Sequence, residues 1–178
     1  MILNERNIRH EHLLNIAKQM MTAARTAPKG KGIDIIETAT VTDEDIISLS
    51  QKTKVMYEEN GMKFFLRDAE NILNAEAIIL IGTRQQVQGL NCKYCGFDTC
   101  SEKPEEVPCA INSVDLGIAI GSACATAADN RVDSRVMFSV GLAAQQLDWL
   151  KSCQCVMAIP ISASSKNPFF DRKPKEQK

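Results

Sequence analysis

A chain of 178 residues is long enough to bury a real core as one domain, and 44% hydrophobic with 24% charged residues is the composition of an ordinary soluble globule. A formal net charge of −1 and a pI near 6.1 give no electrostatic ground for binding nucleic acid or an anionic membrane. No apolar run approaches the ~20 residues of a membrane span; the opening M-I-L-N-E-R-N-I-R-H-E-H is too charged for a signal peptide, and seven cysteines without one suit a reducing cytoplasm.

Residues Ile8 to Ala27 read as an amphipathic helix, with Leu13, Ile16, Met20, Met21 and Ala24 at helical spacing. Pro28 ends it, and K-G-K-G follows, so Arg25, Lys29 and Lys31 gather at a glycine-rich helix exit. Such a turn either holds a phosphate through charge and free amides or is a solvated basic loop. Ile33 to Val41 is rich in β-branched residues and predicts a strand. Thr42 then stands as a helix cap, with Asp43, Glu44 and Asp45 in the first turn, and Asn60-Gly61 ends that helix. Another helix is expected from Phe64 to Asn74, facing inward with Phe65, Ala69, Ile72 and Leu73. Ala77 to Ile81 is continuously apolar, the pattern of a central strand covered on both faces.

From about residue 90 to 110 runs L-N-C-K-Y-C-G-F-D-T-C-S-E-K-P-E-E-V-P-C, which spaces Cys92, Cys95, Cys100 and Cys109 by two, four and eight residues. Thiolates are soft donors, and four of them satisfy an iron–sulfur cluster or a zinc ion without help. The two-residue gap lets two sulfurs converge from one turn, which Gly96 eases. Zinc sites usually bring a second paired turn, and neither common ferredoxin spacing is matched, so spacing alone leaves both metals open.

Val114 to Ala128, V-D-L-G-I-A-I-G-S-A-C-A-T-A-A, would be apolar nearly all round as a helix, and therefore buried. Gly117, Gly121 and Ala125 fall four apart, which suits either a core helix or a subunit interface. A helix from about Asp133 to Leu150 follows, then a short strand at Val156 to Ile159 that Pro160 is expected to end. Cys153 and Cys155, just before that strand, are expected to point to opposite faces and so not to hold one ion together, while Cys124 packs. The tail I-S-A-S-S-K-N-P-F-F-D-R-K-P carries Lys166 and Arg172, and its adjacent Phe169 and Phe170 are expected to dock. No Ser-His-Asp or Cys-His arrangement is present, since both histidines, His10 and His12, sit near the N-terminal edge.

Together, A-A-R-T-A-P-K-G-K-G-I-D, N-C-K-Y-C-G-F-D-T-C…P-C, V-D-L-G-I-A-I-G-S-A-C-A and S-K-N-P-F-F-D-R resemble the prokaryotic ferredoxin-domain-containing proteins. The resemblance implies an iron–sulfur cluster on Cys92, Cys95, Cys100 and Cys109, with a four-iron cluster favoured and zinc as the alternative. A second resemblance, through Arg25-Thr26-Ala27-Pro28 and Gly141-Leu142-Ala143-Ala144, is to nitroreductase-like flavoproteins. It implies flavin mononucleotide at the Arg25 helix end; the candidates for its phosphate are Arg25, Lys29 and Lys31 there, with Lys166 and Arg172 from a tail that folds back or crosses onto a partner subunit. The R-R-S-x-R opening of those flavoproteins is missing here.

The expected molecule is a single α+β domain over residues 1–178. A central sheet is flanked by helices in a nitroreductase-like outline, with an inserted four-cysteine metal loop. It is expected to be a cytoplasmic homodimer that passes electrons to an unidentified redox partner. A structural zinc protein and a cofactor-less binding module on a flavoprotein-like scaffold are the alternatives.

Overall fold

The computed structural model describes residues 1–170 and has an α+β architecture: a four-stranded, fully antiparallel sheet with helices on both faces. In chain order the elements are α1 (Glu5–Thr26), β1 (Ile36–Val41), α2 (Asp43–Asn60), α3 (Lys63–Ile72), β2 (Ala77–Arg84), α4 (Ala110–Asp129), β3 (Asp133–Ser134), α5 (Phe138–Gln146) and β4 (Cys153–Ser162). The strand order β1-β2-β4-β3 puts β2 in the interior, where the alternation of its run decides what each face receives. Ile79 and Ile81 pack with Leu13, Ile16, Met20 and Ala24 of α1 and Leu116, Ala119 and Ala123 of α4. Ile78 and Leu80 pack on the other face with Leu49 of α2, Phe65 of α3 and Val140 of α5. The unbroken apolar run thus serves two cores.

Several boundaries differ from the sequence reading. The strand expected from Ile33 begins only at Ile36, and Thr42 takes the N-cap position of α2 without a side-chain capping bond. Leu73 is 49% exposed, and the fourth inward position of α3 belongs to Asp68 instead, whose carboxylate accepts from Ser139 Oγ at 2.5 Å. The long helix expected from Asp133 is split. Asp133 and Ser134 pair with Ser162 and Ile161, Met137 bridges to Ala158, and α5 starts only at Phe138.

β4 also runs through Pro160 to Ser162. Ala158 turns its N–H away from β2 to Met137 at 3.1 Å, so two residues on Pro160 lacks its N–H on that same side. There β3 pairs with Ile161 and Ser162 only, and the ladder with β2 continues undisturbed. Gly141 explains how α5 lies so close to β4: a Cβ there would stand 2.7 Å from Met157 Cα and closer still to the Val156 carbonyl.

α4 departs most from expectation. By length and composition it is the one helix among the described residues apolar enough to cross a membrane, which corrects the reading that no segment approaches a span. Nor is it enclosed on all sides. Leu116, Ala119, Ala123 and Ala127 face α1 and the sheet, whereas Val114 (53%) and Ile118 (40%) are exposed. None of the described residues comes within 4 Å of a Cβ placed at Gly117 or Gly121 on that outer side.

Candidate metal loop and the basic turn beside it

Between β2 and α4 the chain is irregular, and residues with left-handed backbone, Gly89, Asn91, Lys93 and Gly96, make it double back repeatedly. Gly96 N–H closes a turn on the Lys93 carbonyl at 2.9 Å, with Cys95 inside it and Cys92 just before it. Cys100 is tied to Asn91 twice: its N–H donates to Asn91 Oδ1 at 2.8 Å, and the Asn91 N–H donates to Cys100 Sγ at 3.4 Å. Cys109 is the N-cap residue of α4, where backbone amides without helical partners favour negative charge. Gln85 Nε2 and Gln154 Nε2 hold the last part of the loop against the sheet through the Glu105 and Glu106 carbonyls, at 2.6 and 2.7 Å.

All four thiols are free and half-buried. Cys100 and Cys109 open onto one cavity of about 270 Å³ whose wall includes Gln85, Gln86 and Val87; Cys92 and Cys95 do not line it. Among the described residues no three His, Cys, Asp or Glu side chains converge as a ready metal group. Four free, accessible thiols are nonetheless the donor chemistry of an iron–sulfur or zinc site, and such sites rarely stand assembled before the metal binds.

The K-G-K-G turn lies against the start of α4. Gly30 N–H donates to both carboxylate oxygens of the buried Asp115, at 3.0 and 2.9 Å. The predicted basic residues are committed within the chain. Lys29 Nζ caps α1 by donating to the carbonyls of Ala24, Arg25 and Ala27 at 3.1, 2.5 and 2.7 Å. Arg25 pairs with Asp34 at 2.6 Å and reaches the Ile36 carbonyl. Lys31, with φ 58°, donates to the Gln88 carbonyl at 3.1 Å. Phe169 docks fully buried among α2, α3 and α5, and Arg135 lies 4.6 Å over the half-exposed Phe170 ring. That anchor sits on the sheet face opposite α1, and exposed Lys166 lies on the segment between it and Ala163, which packs on the α1 face. Arg172 lies outside the described residues.

Sequence reasoning missed Gln88, Asn112 and Asp115, all buried. The available signal was their polarity: Asn112 and Asp115 interrupt the start of an otherwise apolar helix.

The fold is that of nitroreductase-like flavoproteins. It is similar to a BluB-like flavoprotein from Clostridium difficile (TM-score 0.58, 16% identity, 92% of this chain and 85% of that one). A protein from Desulfovibrio desulfuricans assigned as a nitroreductase and holding FMN is also similar (TM-score 0.56, 13% identity, 90% and 80% of the two chains). The sequence is 41% identical over 186 residues to a protein of Archaeoglobus fulgidus described only as uncharacterized, covering 99% of this chain and all of the other. The pattern of the family described as "uncharacterized protein containing a ferredoxin domain" (DUF2148) matches residues 105–172, which include Cys109 but not the other three loop cysteines. The chain belongs to that family. Family and fold together support a redox protein.

Proposed function

We propose that this chain is a cytoplasmic iron–sulfur redox protein, a single domain in which Cys92, Cys95, Cys100 and Cys109 ligate the cluster, a four-iron cluster being favoured. The observation that carries the reading is the loop: four free thiols on one irregular segment, two of them facing a shared cavity, in a ferredoxin-domain family. When bound, a cluster would supply one-electron exchange with a redox partner. The chain's part is thiolate ligation and N–H donation to sulfur, of which the Asn91 amide on Cys100 is one instance; such bonds tune cluster potentials. Anaerobically isolated protein should be brown and contain iron and acid-labile sulfide, and Cys→Ser changes at the four positions should remove both. Colourless protein with one zinc per chain would instead favour a structural metal.

The same reading includes a homodimer built on the outer side of α4, where Val114, Gly117, Ile118 and Gly121 offer an apolar surface with room for close backbone approach. It also includes flavin mononucleotide at the basic turn, with Arg25, Lys29 and Lys31 joined by Lys166 and Arg172 of the same chain's tail or of a partner's. The nitroreductase-like fold supports this cofactor; the intrachain commitments of Arg25 and Lys29 leave Lys31 the freest of the three. Titration calorimetry of flavin mononucleotide into cluster-loaded protein tests it, and absence of binding would leave a metal protein on a flavoprotein-like scaffold.

A further inference from the structure

The cysteine loop leaves the sheet after Arg84 and rejoins the fold at Ala110, and one side chain spans its two ends. Asn112, in the first turn of α4, donates through Nδ2 to the Gln86 carbonyl and accepts through Oδ1 from Gln88 Nε2 at 3.0 Å. Both carboxamides are buried, Asn112 at 3% and Gln88 at 4% exposure. The clamp is itself pinned to the exit of α1, through Lys31 Nζ on the Gln88 carbonyl and Asp115 on Gly30 N–H.

Closing a loop base does not require this chemistry. Two apolar side chains would do so without desolvating carboxamides, and here the arrangement leaves Gln88 Oε1 buried with no partner among the described residues. What paired carboxamides add is a fixed register between the two segments. Register is what a thiolate site needs. Asn112 is three residues from Cys109, and its acceptor residue Gln86 forms part of the cavity wall shared by Cys100 and Cys109. With the base open, Gln86 and Gln88 would be free to shift against Cys109, and the wall that Gln86 gives the cavity of Cys100 and Cys109 would shift with them.

We infer that Asn112 and Gln88 are positioning residues for the thiolate loop, holding its ends so that Cys109 meets the other three sulfurs around a metal. This rests on reading Cys92, Cys95, Cys100 and Cys109 as ligands. It assigns the buried polar cluster to metal retention rather than to folding.

The test is to reconstitute the purified chain anaerobically with ferrous iron and sulfide, then follow loss of cluster absorbance to an added chelator. Asn112→Ala and Gln88→Ala should lose iron at least about tenfold faster than wild type, the scale on which outer-shell partners act. Asn112→Asp keeps the acceptor for Gln88 but loses the donor to Gln86, and should fall between. Ser139→Ala removes a buried bond of 2.5 Å to Asp68 on the other face of the sheet. It should lower the melting temperature yet release iron at the wild-type rate. Clamp variants that release iron at the wild-type rate, or a Ser139→Ala variant as leaky as they are, would overturn the assignment. If Asn112→Ala does not fold, Gln88→Ala and Asn112→Asp decide it by the same rate. Wild-type protein that takes up neither iron nor sulfide fails one step earlier, and the cluster reading falls with the clamp.

Discussion

Seven cysteines divide between two regions of this molecule and behave as two kinds of residue. Cys92, Cys95, Cys100 and Cys109 lie on irregular backbone between β2 and α4, each half-buried, with side-chain and main-chain polar groups around them. Cys124, Cys153 and Cys155 sit in regular elements against the two cores. Cys153 faces the core of α2, α3 and α5, and Cys155 the core of α1 and α4: regular alternation would put residues two apart on one face, and the register shift that pairs Thr83 with Cys155 but Arg84 with Cys153 turns them to opposite ones. Burial pushes all three of these thiols up, Cys153 to about 11, which keeps them protonated and inert near neutral pH. The backbone, not the side chain, decides which cysteines are available for chemistry.

The sharpest way to break that division is to disturb the packed region. Gly141→Ala would drive a methyl group into the β4 backbone at Val156 and Met157, neither of which can yield as a flexible side chain would. A helix gains only about 1 kcal/mol from replacing glycine with alanine. Overpacking against backbone should cost roughly 3 kcal/mol or more, and outweighs it. Denaturant melts of the metal-free variant should show this loss or outright unfolding. The loop should answer oppositely: Cys95→Ser, at a half-exposed position, should leave metal-free stability within about 0.5 kcal/mol while abolishing iron uptake. A large loss of metal-free stability in Cys95→Ser would mean that the loop is packed like the sheet.

The two regions also differ in how much of them was legible beforehand. α1, α2 and β2 announce themselves because burial imposes a period that the residues must obey, and Gly61 ends α2 in the left-handed conformation expected of it. β3 was not legible. Two residues carry no period, and the apolar spacing of Met137, Val140 and Ala144 continues smoothly from it into α5. Pro160 misled for a related reason: whether a proline ends a strand depends on which side its missing N–H faces, and that depends on β3. In the loop the four cysteines and the tight turn that Gly96 eases were visible by type and spacing, but the clamp of Asn112 on Gln86 and Gln88 was not. Those contacts join residues more than twenty positions apart, which no local pattern encodes.

A second comparison lies within α4, between its buried and open sides. Ser122 Oγ donates to the Ala23 carbonyl at 3.0 Å on the inner side, while Gly121 next to it has none of the described residues within 4 Å of its absent Cβ. Gly121→Leu should therefore leave the stability of a single chain nearly unchanged, and convert a dimer into monomers by holding the two α4 backbones apart. Sedimentation or light scattering reads the assembly, and a denaturant melt reads the fold. A wild type that is monomeric at every concentration would remove the homodimer from the reading.

The smallest expected effect is also the most specific to the buried thiols. An unfolded cysteine ionises near its ordinary value of 9.0, whereas folded Cys153 holds its proton to about 11, chiefly because burial penalises the thiolate and next because of the Glu37 charge. Between these values the unfolded chain binds fewer protons than the folded one, so stability falls as pH rises. The contribution is therefore complete below pH 9 and lost by the time pH passes about 11. Other groups titrate in the same window, but they cancel in a difference between wild type and Cys153→Ala. At pH 8 the wild type should be the more stable, because Cys153 fills space against Gly82 and Val156. That advantage should shrink steadily toward pH 11. Denaturant melts of both proteins across this range give the curve, and an advantage that stays constant would mean that Cys153 is as accessible to water as the loop thiols are.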